Sequence, residues 1–119
     1  ILKIWQQNIN KSSACQHDLI SNDRLIRDGI DIIALQEPSI NQFGGTVNAR
    51  EWTAVYPTTH TAEPHKTHSL LLICTNLLTN KWEQINMKSG DMTVIKVKSN
   101  WGTLTIYNIY NDCKHDRTL

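Results

Sequence analysis

This sequence has few of the features that assign a protein to a class at first sight. Its three cysteines (Cys15, Cys74 and Cys113) lie far apart and form no Cys-x-x-Cys pair, which argues against a disulfide framework or a zinc ribbon. The net charge is only +1, so the chain lacks the basic footprint of a protein held on DNA mainly by phosphate contacts. No apolar run reaches transmembrane length, and no signal peptide opens the sequence. We therefore expect reduced thiols and a cytoplasmic or nuclear location, without secretion.

Size and composition indicate a globular chain of at most one domain. The 119 residues are 39% apolar and 19% charged, which is typical of a folded protein with a small core. No Gly-x-Ser-x-Gly, Gly-x-Gly-x-x-Gly or phosphate-cradling loop is present. The chain opens at Ile1 directly into a predicted strand and closes at Leu119 shortly after another. We therefore expect both ends to be cut from a longer sequence.

The most informative stretch is Asp31-Ile-Ile-Ala-Leu-Gln-Glu37-Pro38. Its four consecutive apolar residues predict a strand that is buried on both faces, as in a parallel sheet. Glu37 follows where this strand surfaces, and ligands of open α/β sheets bind just beyond the carboxyl ends of the strands. Glu37 is therefore a candidate site residue, with a solvated loop glutamate as the alternative.

The first part of the chain predicts a β-strand, a helix and a second β-strand. Residues 2–8 predict a strand with Leu2, Ile4, Gln6 and Asn8 on one face. Residues 15–26 carry a stripe at helical spacing after the N-cap candidates Ser12 and Ser13, and Gly29 ends the helix. Parallel strands of a βαβ unit end at the same edge of the sheet. We therefore expect Asn8, Asn10 and Glu37 to emerge close together.

The rest of the chain predicts strands and loops. The predicted strands are residues 52–56, 69–75, 82–88, 92–98 and 103–110, with polar loops at 39–51 and 57–67 and turns at Gly90-Asp91 and Asn100-Trp101-Gly102.

Two groups of residues are candidates for chemistry. The first is an oxygen-rich set made of Asn8, Asn10 and Glu37, with Tyr110 at the end of the last strand. Such a set suits a hard cation such as Mg²⁺, which also binds a phosphate of the substrate. The alternatives are a role in turns for the asparagines and a role in packing for the tyrosine. The loop histidines His60, His65 and His68 include a His-x-x-His pair, but no further ligand stands at zinc spacing. A solvent-exposed loop explains these histidines better than a metal site.

The order of these motifs resembles the endonuclease/exonuclease/phosphatase superfamily, which has the DNase I-like fold. The resemblance rests on Gln7-Asn8-Ile9-Asn10, on the stretch from Asp31 to Pro38, and on Asn108-Ile109-Tyr110. The chain is most similar to the endonuclease domain of non-LTR (LINE-type) retrotransposons, in a version seen in fungal elements.

The resemblance implies an α/β fold and a nuclease activity. The fold would be the N-terminal half of a two-sheet α/β sandwich, with a mixed sheet of about six or seven strands and one or two helices. The activity would be hydrolysis of DNA phosphodiester bonds with Mg²⁺ or Mn²⁺. Glu37 matches the principal metal-binding glutamate, Asn10 a polar position that assists the metal, Asn8 the asparagine that orients phosphate, and Tyr110 the tyrosine that contacts the scissile phosphate.

The sequence also departs from that family. The second-half motifs Gly-Asp-Phe-Asn and Ser-Asp-His, which supply the general base and its partners, do not occur, and His68 stands where related elements have arginine. We therefore expect residues 1–119 to be a partial domain with one of the two sheets, inactive or nearly so alone. The alternatives are a half-domain that binds metal or nucleic acid weakly without cutting, and a relic without activity. A missing second sheet would leave apolar residues of strands 32–35, 70–74 and 104–109 exposed and favour self-association.

Overall fold

The computed structural model describes residues 2–40, 51–75, 81–99 and 102–110. In these ranges the chain forms two α-helices, one short 3₁₀ helix (Pro64–Lys66) and seven β-strands. The helices are α1 (Ser13–Ile20) and α2 (Asp23–Arg27). The strands are β1 (Ile4–Asn8), β2 (Ile32–Gln36), β3 (Trp52–Val55), β4 (Ser69–Cys74), β5 (Trp82–Ile85), β6 (Met92–Ser99) and β7 (Gly102–Ile109). The predicted loop at 39–51 and the turn at Asn100-Trp101 lie largely outside the described residues.

The first four strands form one mixed sheet in the order β1-β2-β4-β3. β1 and β2 are parallel with Ile4 beside Ile32, whereas β4 runs antiparallel to both β2 and β3. Because β1 and β2 are parallel neighbours joined through helices, the predicted βαβ unit is confirmed. Every residue of β2 and of β4 is buried, as the continuous apolar runs predict.

The predicted helix between β1 and β2 is divided into two. Ser12 caps α1 by accepting a hydrogen bond from the Cys15 amide at 3.1 Å, and Asn22 caps α2 by accepting one from the Arg24 amide at 2.9 Å. The break falls at Ser21 and Asn22 because the Asn22 side chain offers the backbone an alternative partner and begins a new helix. Gly29, with φ of 76°, then turns the chain toward β2.

The last three strands form a second, antiparallel sheet in the order β5-β6-β7. The α/β class, the number of strands and the number of helices are confirmed, but the strands divide between two sheets where we expected one. β5, β6 and β7 pair with one another, and Ile95 and Val97 of β6 pack over one face of the first sheet.

Two apolar clusters hold three layers together. Between the helices and the four-stranded sheet lie Leu19, Ile20, Leu25, Ile33, Leu35, Leu70 and Leu72 with their neighbours. Between the two sheets lie Ile32, Ala34, Val55, Leu71, Ile73, Ile95 and Val97. The four-stranded sheet is therefore covered on both faces.

The predicted exposure of apolar strand residues is wrong for β2 and β4 and holds for only part of β7. β2 and β4 are buried because the three-stranded sheet covers them. Leu104 and Ile109 of β7 are each 41% exposed. Ile106 of the same strand packs against the cluster between the sheets, so the predicted stretch is only partly uncovered.

Candidate functional site

The candidate site begins where the two parallel strands end. Asn8 at the end of β1 lies beside Gln36 at the end of β2. Asn10 and Lys11 then have φ of 57° and 60°, and Glu37 has φ of 51°. Within the described ranges these are the only non-glycine residues with positive φ, a conformation that costs free energy for an L-residue. The strained backbone of this part of the chain is thus concentrated at one edge.

Hydrogen bonds hold these strand exits against each other. The Lys11 amide donates to the Glu37 carbonyl at 2.8 Å, and the Glu37 amide donates to the His68 carbonyl at 2.9 Å. The Asn10 amide donates to Asn8 Oδ1 at 2.8 Å. The prediction that Asn8, Asn10 and Glu37 emerge close together is therefore confirmed for their backbone positions. Glu37 is half-buried, whereas Asn8 and Asn10 are exposed.

Tyr110 joins the same edge through His68 and Asp91. The Tyr110 amide donates to the Asp91 carbonyl at 2.8 Å, and the His68 amide donates to the Gly90 carbonyl at 2.8 Å. His68 Nδ1 lies 2.6 Å from Asp91 Oδ1, and the His68 ring is 5.1 Å from the Tyr110 ring. Gly90 is required here because a β-carbon would collide with the backbone carbonyl of Lys66. These bonds connect the ends of β2 and β7 across the start of β4.

A buried set of side-chain amides lies beneath this edge. Asn108 is 3% exposed, and its Nδ2 donates to the carbonyls of Leu35 at 2.9 Å and Leu70 at 2.8 Å. Its Oδ1 accepts from Gln36 Nε2, and the side-chain Oε1 of Gln36 accepts from Gln6 Nε2. Asn108 belongs to the three-stranded sheet and its partners to the four-stranded sheet. The amides therefore fix the two sheets relative to each other directly below the site.

A groove leads from the site along the edge of the sandwich. Its volume is about 540 Å³, and it runs between β1 and β7. The residues that line it are Ile4, Gln6, Asn8, Ala34, Gln36, Ile106, Tyr107, Asn108, Ile109 and Tyr110. Asn8 and Tyr110 therefore face a common space that is open to solvent.

The side chains at this edge offer oxygen atoms as possible metal ligands. Among the described residues, no group of three or more His, Cys, Asp or Glu side chains is placed to hold a metal ion. A single carboxylate with neighbouring amide oxygens fits Mg²⁺, which keeps several of its waters. Glu37 with Asn10 could hold such an ion.

The loop histidines do not behave as sequence reasoning predicted. His60 is 8% exposed, its Nδ1 lies 2.6 Å from Thr67 Oγ1, and its ring stacks on Tyr56 at 4.1 Å. The His68 side chain is 30% exposed and is paired with Asp91. Solvent exposure therefore explains neither of them; the His65 side chain lies outside what the structure describes.

Two residues of this region were not singled out from the sequence. Asp91 was assigned only to a turn, because nothing in the order of residues shows that it meets His68. Asn108 carries a clearer signal, since it is a polar residue at an inward position of an otherwise apolar alternating strand.

Comparisons with known proteins agree with this fold. No family model matches the sequence, and no curated protein matches it either. Among solved structures, the endonuclease domain of TRAS1, a telomere-specific non-LTR retrotransposon, matches with a TM-score of 0.67 and 11% sequence identity. The match covers 97% of this chain and 47% of that one, so the chain spans about half the length of its structural neighbour. In the helices that the structure describes, none is long and apolar enough to cross a membrane.

Proposed function

We propose that this chain carries the metal-binding half of an endonuclease site that hydrolyses DNA phosphodiester bonds. The observation that carries the proposal is the meeting of Asn8, Asn10, Glu37 and Tyr110 at one strained edge of the sandwich. The fold of the structural neighbour, an endonuclease domain, supports the same assignment. The resemblance of the sequence motifs to the endonucleases of fungal non-LTR retrotransposons supports it as well.

Each residue has a distinct part in this proposal. Glu37 binds Mg²⁺ or Mn²⁺, with Asn10 assisting, and the ion neutralises charge on a phosphate oxygen when it is bound. Asn8 orients the phosphate through its amide, and the Tyr110 hydroxyl donates a hydrogen bond to a phosphate oxygen. Asp91 and His68 hold Tyr110 in position through the backbone bond and the ring contact described above.

The proposed catalytic set is incomplete within these residues. The sequence lacks the Gly-Asp-Phe-Asn and Ser-Asp-His motifs that supply a water-activating aspartate and a general base in the family it resembles. We therefore expect this chain alone to cut slowly. The second candidate function is a binding module that holds metal or DNA weakly without cleavage, and the low net charge of +1 favours weak, salt-sensitive contact.

Plasmid nicking in the presence of Mg²⁺ distinguishes the two functions. A nick that is lost in Glu37→Gln, and retained in the control Glu83→Gln on exposed β5, supports an enzyme. Absence of nicking, together with DNA binding that weakens at higher salt, supports the binding module.

Metal binding can be measured without any activity. Mn²⁺ added to the chain should broaden NMR signals near residue 37 in the unchanged protein and in Glu83→Gln, but not in Glu37→Gln. Equal broadening in all three proteins would contradict the assignment of Glu37 as the metal ligand.

A further inference from the structure

A row of backbone hydrogen bonds crosses the ends of both sheets at the candidate site. The Lys11 amide donates to the Glu37 carbonyl at 2.8 Å, and the Glu37 amide donates to the His68 carbonyl at 2.9 Å. The His68 amide in turn donates to the Gly90 carbonyl at 2.8 Å. These bonds join, in this order, the exits of β1 and β2, the start of β4 and the turn between β5 and β6. We call the surface made by Lys11, Glu37, His68 and residues 88–91 the cross-sheet row.

Two lysines stand at opposite ends of the cross-sheet row. Lys11 is at the β1 end, and Lys88 lies in the turn between β5 and β6. Both residues are exposed, and neither has an ion-pair partner among the residues that the structure describes. Lys66, whose carbonyl lies next to the same turn, is instead paired with Glu63 at 2.6 Å. Two positive charges therefore flank Glu37 along the row.

The backbone of Lys11 is fixed by the candidate site itself. Its φ of 60° lies in the left-handed region, which costs free energy for a lysine. The bond from the Lys11 amide to the Glu37 carbonyl holds this conformation, and so does the bond from the Asn10 amide to the Asn8 side chain just before it. The strained backbone therefore keeps the attachment point of a cationic side chain beside the proposed metal ligand.

The groove between β1 and β7 offers no comparable charges. The residues that line it include no lysine, arginine, aspartate or glutamate. A DNA backbone binds where lysine or arginine replaces the counterions of its phosphates. The groove supplies no such replacement, whereas the cross-sheet row supplies a cation on each side of Glu37.

We propose that the DNA strand to be cut crosses the ends of both sheets along the cross-sheet row and does not follow the groove. Lys11 and Lys88 each bind a backbone phosphate, one on either side of Glu37. This inference rests on the proposed function, which supplies DNA as the partner, and it adds the path of the strand and two residues that position it. Lysine binds phosphate as a point charge, so these contacts carry no base specificity.

Binding of a labelled DNA duplex, measured by fluorescence anisotropy in EDTA at several salt concentrations, tests this path. Each phosphate contact contributes about 0.9 to the slope of log affinity against log salt concentration. Lys11→Gln and Lys88→Gln should therefore each reduce the slope by about 0.9, and the double variant by about 1.8. The control Lys98→Gln removes the same charge at the far end of β6 and should leave the slope unchanged. A slope that neither substitution changes, an equal reduction in Lys98→Gln, or a chain that does not bind DNA at low salt would overturn the proposal.

A positive charge added to the groove gives the converse test. Tyr107 lines the groove and is 57% exposed. Tyr107→Lys should leave the slope unchanged, whereas an increase of about 0.9 would show that the DNA follows the groove and would contradict the proposed path.

These measurements need neither a metal ion nor cleavage, so they separate this inference from the nuclease proposal. Absence of Mn²⁺ broadening near Glu37, with the effects of both lysines present, would remove the metal proposal and leave the DNA path. Nicking that depends on Glu37, without any effect of Lys11 and Lys88 on the slope, would remove the DNA path alone.

Discussion

At the scale of single residues, Asn108 links the fold to the candidate site. It satisfies two carbonyls of β2 and β4 from a strand of the other sheet, and it precedes Tyr110 by two residues. This buried amide is stabilising because its own donor and acceptor atoms, which are shielded from water, find partners in the other sheet. The same side chain therefore fixes the contact of the sheets and the position at which Tyr110 leaves β7.

Replacing Asn108 by alanine should destabilise the protein strongly. The substitution removes three hydrogen bonds between the sheets, leaves the buried Gln36 amide without its acceptor and opens a small cavity, so we expect a loss of about 2–4 kcal/mol in the free energy of unfolding. Chemical denaturation measures this loss. The control Asn86→Ala removes an exposed side chain that accepts one hydrogen bond from Thr58, and it should cost under about 1 kcal/mol. Equal effects of the two substitutions would contradict the assigned role of Asn108.

At the scale of secondary structure, local capping decides where the helical segment begins and where it breaks. Ser12 and Ser13 were equally good N-cap candidates from the sequence, and the structure selects Ser12, whose Oγ accepts from the Cys15 amide. Asn22 then begins a second helix within a segment whose apolar spacing predicts a single continuous helix. The hydrogen bond from the Arg24 amide to the Asn22 side chain breaks the helix, even though the apolar spacing continues past this position.

The two serines differ in their expected contribution to stability. Ser12→Ala removes the cap of α1 and should lower the free energy of unfolding by about 1 kcal/mol. Ser13→Ala replaces the first helical residue, which is exposed, by a better helix former and should be neutral or slightly stabilising. Thermal denaturation of the two variants side by side measures the difference. A larger loss for Ser13→Ala would show that the cap lies one residue later.

At the scale of the whole molecule, the two sheets form one folding unit. Ile95 of β6 is fully buried against the inner face of the four-stranded sheet, in the cluster that also contains Ile32 and Leu71. The core is therefore shared between strands from both halves of the chain, so we expect the sheets to unfold together.

Truncating Ile95 tests this shared core. Ile95→Ala should cost about 2–4 kcal/mol because it leaves a cavity between the sheets, whereas Ile109→Ala, at a position that is 41% exposed, should cost under about 1 kcal/mol. Intrinsic tryptophan fluorescence and far-ultraviolet circular dichroism should give the same unfolding midpoint in Ile95→Ala. Separate midpoints would mean that the sheets unfold independently.

The sequence by itself determined the elements and the edge at which the candidate site lies. Continuous apolar runs identified β2 and β4, and helix spacing between the first two strands predicted the βαβ unit that brings Asn8, Asn10 and Glu37 together. These features follow from local periodicity and from the geometry of parallel strands, which act over short stretches of chain.

Only the tertiary structure decided the division of seven strands into two sheets, the pairing of His68 with Asp91, and the contact of Asn108 with β2 and β4. Each of these features joins residues that are more than twenty positions apart, such as Asn108 and Leu35, 73 positions apart. Local propensity does not encode such contacts, because they depend on which face of one sheet covers another.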